Sequence, residues 1–187
     1  MREVEVKAVV DDLRVRRMKV EVEGGSLSFE GTISDRRYDL ASRELYARDE
    51  VLRMRRYQSA TFTKTFLDWK GPTEVVDVYK VREELTTPVD FDSLEKILEK
   101  LGYQLVGEID RQIAEYQPRG ATVRFEVYPR MDTLVEIEGD PSTIEEVIGL
   151  IGMPRAAFSN QRLTAFVAAF EQRTGVRAAV CERELQG

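Results

Sequence analysis

The chain has 187 residues, 42% of them hydrophobic and 33% charged, with a net charge of −6, and that combination predicts one globular domain over residues 1–187 with a substantial core. The acidic balance excludes a general nucleic-acid surface, and the absence of histidine removes the commonest general base and the commonest transition-metal ligand together. Cys181 is the single cysteine, so no internal disulfide can form and a tetrahedral nitrogen–sulfur zinc site cannot be completed, and no apolar run reaches membrane-spanning length; a cytoplasmic protein away from membranes is the expectation.

The opening Glu3 to Val10 alternates charge with valine. In a strand this puts Glu3, Glu5 and Lys7 on one face and the valines on the other. Asp11 to Glu23 is consistent with a helix stopped by Gly24-Gly25, or with a strand entering a Gly-Gly turn. Strands are predicted over Leu27 to Ile33, Val51 to Tyr57, Ala60 to Lys70 and Val75 to Thr86, with a turn at Gly71-Pro72. Asp92 to Glu95 reads as a helix cap with a capping box, and the helix runs to Leu101 before Gly102.

The strand pattern resumes over Tyr103 to Tyr116, Thr122 to Tyr128 and Thr133 to Glu138. Asp140-Pro141 then starts a helix through Ile151, and Ser159 is the expected cap of a last amphipathic helix ending near Gly175. The expected division is a barrel core of about residues 1–140, with helices in 141–175 packed on it.

The polar faces of these strands sort by sign. Glu3, Glu5, Glu136 and Glu138 supply acid in rows, with Glu126 between Phe125 and Val127. Arg53, Arg55, Lys70 and Arg82 supply base, and Lys80, Arg82 and Glu84 share a face. A single row of this kind is ordinary on a solvated strand. Several rows, acidic on some strands and basic on others, make sense if the strands close into a barrel with alternate residues facing the lumen. Buried charge of this kind needs partners, and a metal–polyphosphate complex would satisfy both signs.

These rows resemble the signature of the CYTH domain, the triphosphate tunnel metalloenzymes. Glu3-Val4-Glu5-Val6-Lys7 is similar to the family's E-x-E-x-K opening, and Arg37-Tyr38-Asp39 to its tyrosine/phenylalanine-aspartate element. Arg53-Met54-Arg55, Lys70-Gly71-Pro72, Arg82-Glu83-Glu84 and Glu136-Ile137-Glu138 resemble later elements in the same order. Two departures stand out: Ile113 follows Arg111 where a K-x-R pair is usual, and Glu126 replaces an aspartate.

The resemblance implies an α+β fold, an eight-stranded antiparallel β-barrel with peripheral helices. It implies Mg²⁺ or Mn²⁺ on Glu3, Glu5, Glu126, Glu136 and Glu138. Lys7, Arg53, Arg55, Lys70, Arg82 and Arg111 would hold a small triphosphate-containing molecule, with Glu84 and Lys70 in catalytic roles. Three activities follow: a triphosphatase acting on tripolyphosphate, thiamine triphosphate or a nucleotide; a class IV adenylate cyclase; or a non-catalytic polyphosphate binder. Cyclases of that class carry histidine–phenylalanine elements, which this chain lacks, and that favours the hydrolase. Tyr38, Tyr46 and Trp69 are candidate stackers at the tunnel mouth, and a homodimer remains open.

Overall fold

The computed structural model describes residues 2–186, and side chains from residue 4 to residue 186. Nine antiparallel strands form one sheet, with β1 (Arg2–Val9), β2 (Ser26–Leu40), β3 (Val51–Gln58), β4 (Thr63–Lys70), β5 (Glu74–Val76), β6 (Tyr79–Pro88), β7 (Tyr103–Gln117), β8 (Thr122–Val127) and β9 (Leu134–Glu138). The order β1-β9-β8-β7-β2-β3-β4-β6 closes on itself because β1 also pairs with β6. Eight strands therefore make a complete barrel, and β5 is an extra hairpin partner of β6. Closure leaves the eight-stranded cylinder without a free edge.

Five helices decorate the barrel: α1 (Leu13–Val22), α2 (Glu44–Ala47), α3 (Phe91–Lys100), α4 (Pro141–Ile151) and α5 (Leu163–Thr174). Among the described residues, no helix is long and apolar enough to cross a membrane.

The apolar core lies mainly outside the cylinder. Val6 and Ala8 of β1, with Val123, Phe125, Val135 and Ile137 of β8 and β9, meet Ile144, Val147, Ile148 and Ile151 of α4. All ten are buried. Fully burying a valine, leucine or isoleucine contributes about 1.5–3 kcal/mol, so this face holds α4 firmly on the wall. Because alternate residues point oppositely, the same strands turn Glu5, Lys7, Arg124, Glu126 and Glu136 toward the lumen cavity. A second apolar layer seats α3 through Leu98 on Tyr38 and Met54.

Several local expectations change. Asp11 to Glu23 is helical: the Asp12 side chain accepts from the Val15 amide at 3.0 Å and caps α1. The predicted strand at Leu27 to Ile33 extends to Leu40, and the one at Val75 to Thr86 divides at Asp77, whose φ is 55°. Asp90 rather than Asp92 caps α3, accepting from Ser93 at 2.9 Å. Ser159 caps no helix: it pairs with Lys7 as a bridge, and α5 starts only at Leu163. The four-residue α2 carries too short a pattern to register in the sequence.

Candidate functional site

The lumen holds a cavity of about 300 Å³ whose described lining carries ten basic and six acidic side chains. An excess of four positive charges inside a protein of net charge −6 is the dominant electrostatic feature of the fold. Alternation along each strand builds it. Arg53 and Arg55 come from β3, Asp35 and Arg37 from β2, Arg111 from β7, Arg124 and Glu126 from β8, Glu136 from β9, and Glu5 and Lys7 from β1.

Asp35 is the hub, with 1% of its surface exposed. Arg55 grips it through Nε and a terminal nitrogen at 2.7 and 2.9 Å, Arg111 reaches it at 3.1 Å, and Arg53 lies 3.6 Å away. Burial alone would raise the Asp35 pKa, but Arg55, Arg53 and Arg111 outweigh it and hold the carboxyl well below its usual range. Arg53 also forks onto Asp68 at 2.6 and 2.9 Å.

A second network runs across β1, β8 and β9. Lys7 pairs with Glu136 and lies 3.9 Å from Glu126, while Arg124 joins Glu136 to Glu115. Arg111 Nε stands 2.9 Å from Glu126 as an ion pair, out of line for a hydrogen bond. Tyr128 donates to Glu126 at 2.8 Å. Burial opposes charge on Lys7, yet Glu136, Glu126 and Glu5 hold its pKa above the ordinary lysine range. Burial also opposes charge on Glu136 and Glu126, and the neighbouring Lys7 leads the bases that keep both pKa values low.

The sequence-predicted residues divide between two openings. Glu5, Lys7, Arg53, Arg55, Lys70, Arg82, Arg111, Glu126 and Glu136 all line the main cavity. Glu84 and Glu138 instead line the second opening, and of the proposed metal ligands with described side chains Glu5, Glu126 and Glu136 share the main cavity. The Glu3 side chain lies outside the described residues. Lys70 and Glu84 pair directly, as do Lys80 and Glu5. Arg82 donates to the carbonyls of Gly71 and Asp49 at 2.6 and 2.7 Å, which ties down the turn after β4. Ile113 does not line the main cavity: it packs with Phe29, Ile33 and Tyr57, and the apolar residue that β7 gives to that lining is Ile109.

The mouth near α2 and α5 carries Tyr46, Asp49, Arg162 and Thr164, with Arg162 paired to Asp49 at 2.8 Å. Residues beyond the barrel core thus also line the cavity. Tyr38 is buried against α3 and Trp69 leans on the Gly71 turn, so neither stacks at the cavity. The second opening, about 380 Å³, is lined instead by Phe29, Tyr57, Phe62 and Phe66. Phe29 and Tyr57 meet edge to face at 5.3 Å, as do Tyr57 and Phe66 at 5.9 Å. Four bases and four acids line this opening, and Arg53, Arg55 and Arg124 border both cavities.

The sequence alone does not mark Asp35, Asp68, Glu115, Arg124 and Arg162, which line the two openings, and it places Arg37 in a motif without a site role. The Asp35-x-Arg37 and Arg124-x-Glu126-x-Tyr128 alternations were the available signal.

A closed cylinder with a lumen lined by paired charges, and its apolar core mainly outside, defines a tunnel-type β-barrel protein. The CYTH domain family model matches residues 1–150, and the chain belongs to that family. The fold is similar to the PH1819 protein of Pyrococcus horikoshii OT3 (22% identity, TM-score 0.72, covering 89% of this chain and 98% of that one). It is also similar to a Vibrio parahaemolyticus protein named a "putative adenylate cyclase" (18%, TM-score 0.76, 89% and 97%). A third similar structure is HpAC1 of Hippeastrum, described as revealing a dominant triphosphatase activity (15%, TM-score 0.65, 91% and 96%). No curated protein matches the sequence.

Proposed function

We propose that this protein is a divalent-metal-dependent hydrolase of triphosphates, with the phosphate chain bound in the main cavity. The observation that carries this reading is the lining of ten bases against six acids. A phosphate chain brings the missing negative charge and many acceptor oxygens, which arginine forks match in pairs. Phosphoryl transfer asks little covalent work of a protein, so fixed cations around the reacting phosphate supply most of what is needed. Arg53, Arg55, Arg111 and Arg124 are already oriented by Asp35, Asp68, Glu126 and Glu136. They would meet the phosphates without further ordering.

The donor chemistry fits Mg²⁺ or Mn²⁺, since every acidic group facing the cavity offers oxygen. Among the described residues no three acidic, histidine or cysteine side chains form a ready metal cluster. Mg²⁺ does not require one: it is commonly held by one or two carboxylates together with substrate phosphates and water. Glu126 and Glu136 would be those carboxylates, with Glu5 beside them. The Lys7 ammonium already lies against both, so a cation is accommodated at that position. The ion would supply neutralisation of phosphate charge and activation of water.

The organic part of an ester would occupy the charge-balanced opening lined by Phe29, Tyr57, Phe62 and Phe66. That aromatic lining also supports the second reading, a cyclase acting on ATP. The deciding experiment gives purified protein tripolyphosphate, thiamine triphosphate or ATP with Mg²⁺ or Mn²⁺. Orthophosphate release is expected. Cyclic AMP with pyrophosphate would replace the hydrolase by the cyclase, and saturable binding without turnover would remove catalysis.

A further inference from the structure

Among the described residues, Arg37 has neither a hydrogen-bond nor an ion-pair partner. The other described cations lining the main cavity are tied to a carboxylate or a backbone carbonyl. Arg37 makes no side-chain hydrogen bond and no ion pair among the described residues, and its Nε is buried without an acceptor. The reason is competition. Asp35 lies two residues earlier on the same strand face, where it is already held by Arg55, Arg111 and Arg53. Directly opposite Arg37 on β3 stands Arg53, a like charge, and opposite on β7 stands Gly107, which has no side chain to offer. Like charges facing each other across strands are destabilising.

The local backbone favours this placement. The β2–β7 register shifts between Arg37 and Tyr38, and bulges of this kind re-aim side chains beside functional sites. A Cβ at Gly107 would sit 3.8 Å from Arg37 Cδ, an ordinary van der Waals contact, so the arm of Arg37 lies directly over this glycine. Burial, then repulsion from Arg53, lowers the Arg37 pKa to about 10. The buried Nε therefore stands as an unmet donor, and unmet buried donors are costly.

We propose that Arg37 is a ligand-contacting arginine whose missing acceptor is a phosphoryl group of the bound oligophosphate. The inference rests on the anion-binding reading above and adds a named residue to it. It also makes an unusual demand: neutralising Arg37 should weaken binding without weakening the unliganded fold, because no group among the described residues hydrogen-bonds or ion-pairs with it.

The test is Arg37→Gln, read by calorimetric titration with inorganic tripolyphosphate and by thermal unfolding without ligand. Losing a charge-assisted hydrogen bond predicts affinity lower by about 10- to 100-fold, with an unliganded Tm equal to or above wild type. Equal affinity would overturn the role. So would a Tm lowered by about 5 °C or more, since that marks a structural arginine. Wild-type protein that takes up no tripolyphosphate would reject the anion reading itself, and the role of Arg37 with it; loss confined to the variant bears on Arg37 alone.

Discussion

Replacing Asp35 by asparagine removes one negative charge and almost no volume. In the native protein that charge answers Arg55 at 2.7 and 2.9 Å, Arg111 at 3.1 Å and Arg53 at 3.6 Å. Removing one partner of a buried pair typically costs about 3–5 kcal/mol, because the other charge stays buried and unanswered. Asparagine keeps one acceptor oxygen for Arg55 and the cavity admits water, which places the loss near 3 kcal/mol. At about 2–4 °C per kcal/mol for a chain of this size, Tm should fall by roughly 6–12 °C. The urea midpoint should fall by about 1.5 M for an m-value near 2 kcal/mol/M.

Saturating tripolyphosphate should return much of the loss, since a ligand at 100 times its Kd stabilises by about 2.7 kcal/mol. Adding Arg55→Met should make the double variant less unstable than the two single losses summed. An Asp35→Asn protein within about 1 kcal/mol of wild type would refute the claim that this carboxylate organises the arginines.

Acid should unfold the protein through the same groups. Asp35, Glu126 and Glu136 have pKa values held low in the folded state, so their contribution is present above the unfolded values near 4 and is lost as pH falls through the folded ones. The urea midpoint should therefore be nearly flat from about pH 7 to 5.5 and drop below about pH 4; a flat profile to pH 3 would contradict it. Arg82→Met should lower stability by roughly 1–3 kcal/mol in urea melts, because the Gly71 and Asp49 carbonyls lose their donor. Tyr57→Ala or Phe66→Ala should weaken an organic triphosphate by about 3- to 10-fold while leaving tripolyphosphate binding within about twofold, by calorimetry. Equal losses for both ligands would remove the aromatic opening from recognition.

Period-two alternation made much of the architecture legible before any coordinates. In Glu3 to Val10 a charge at every second position fixes which side chains share a face, and the structure turns Glu5 and Lys7 into the lumen and Val6 and Ala8 onto α4. The rows at Arg53-x-Arg55 and Glu136-x-Glu138, in family order, carried the barrel as well. Helix ends were less legible, because Asp90 and Asp92 are both plausible caps and only the amide geometry separates them.

What the chain could not announce is which charge meets which. Asp35 and Arg111 are 76 residues apart, and Lys7 and Glu136 are 129 apart; they meet because β2 pairs with β7 and β1 with β9. The β1–β9 pairing also sets Glu138 beside Glu5 in register, yet Glu138 lines the second opening and Glu5 the main cavity. Local periodicity thus determines the face a side chain takes, since it depends on the backbone of one strand alone. Partner, depth and opening depend on how strands distant in sequence are joined, and the unmatched charge on Arg37 emerges only when every neighbour around the cylinder is in place.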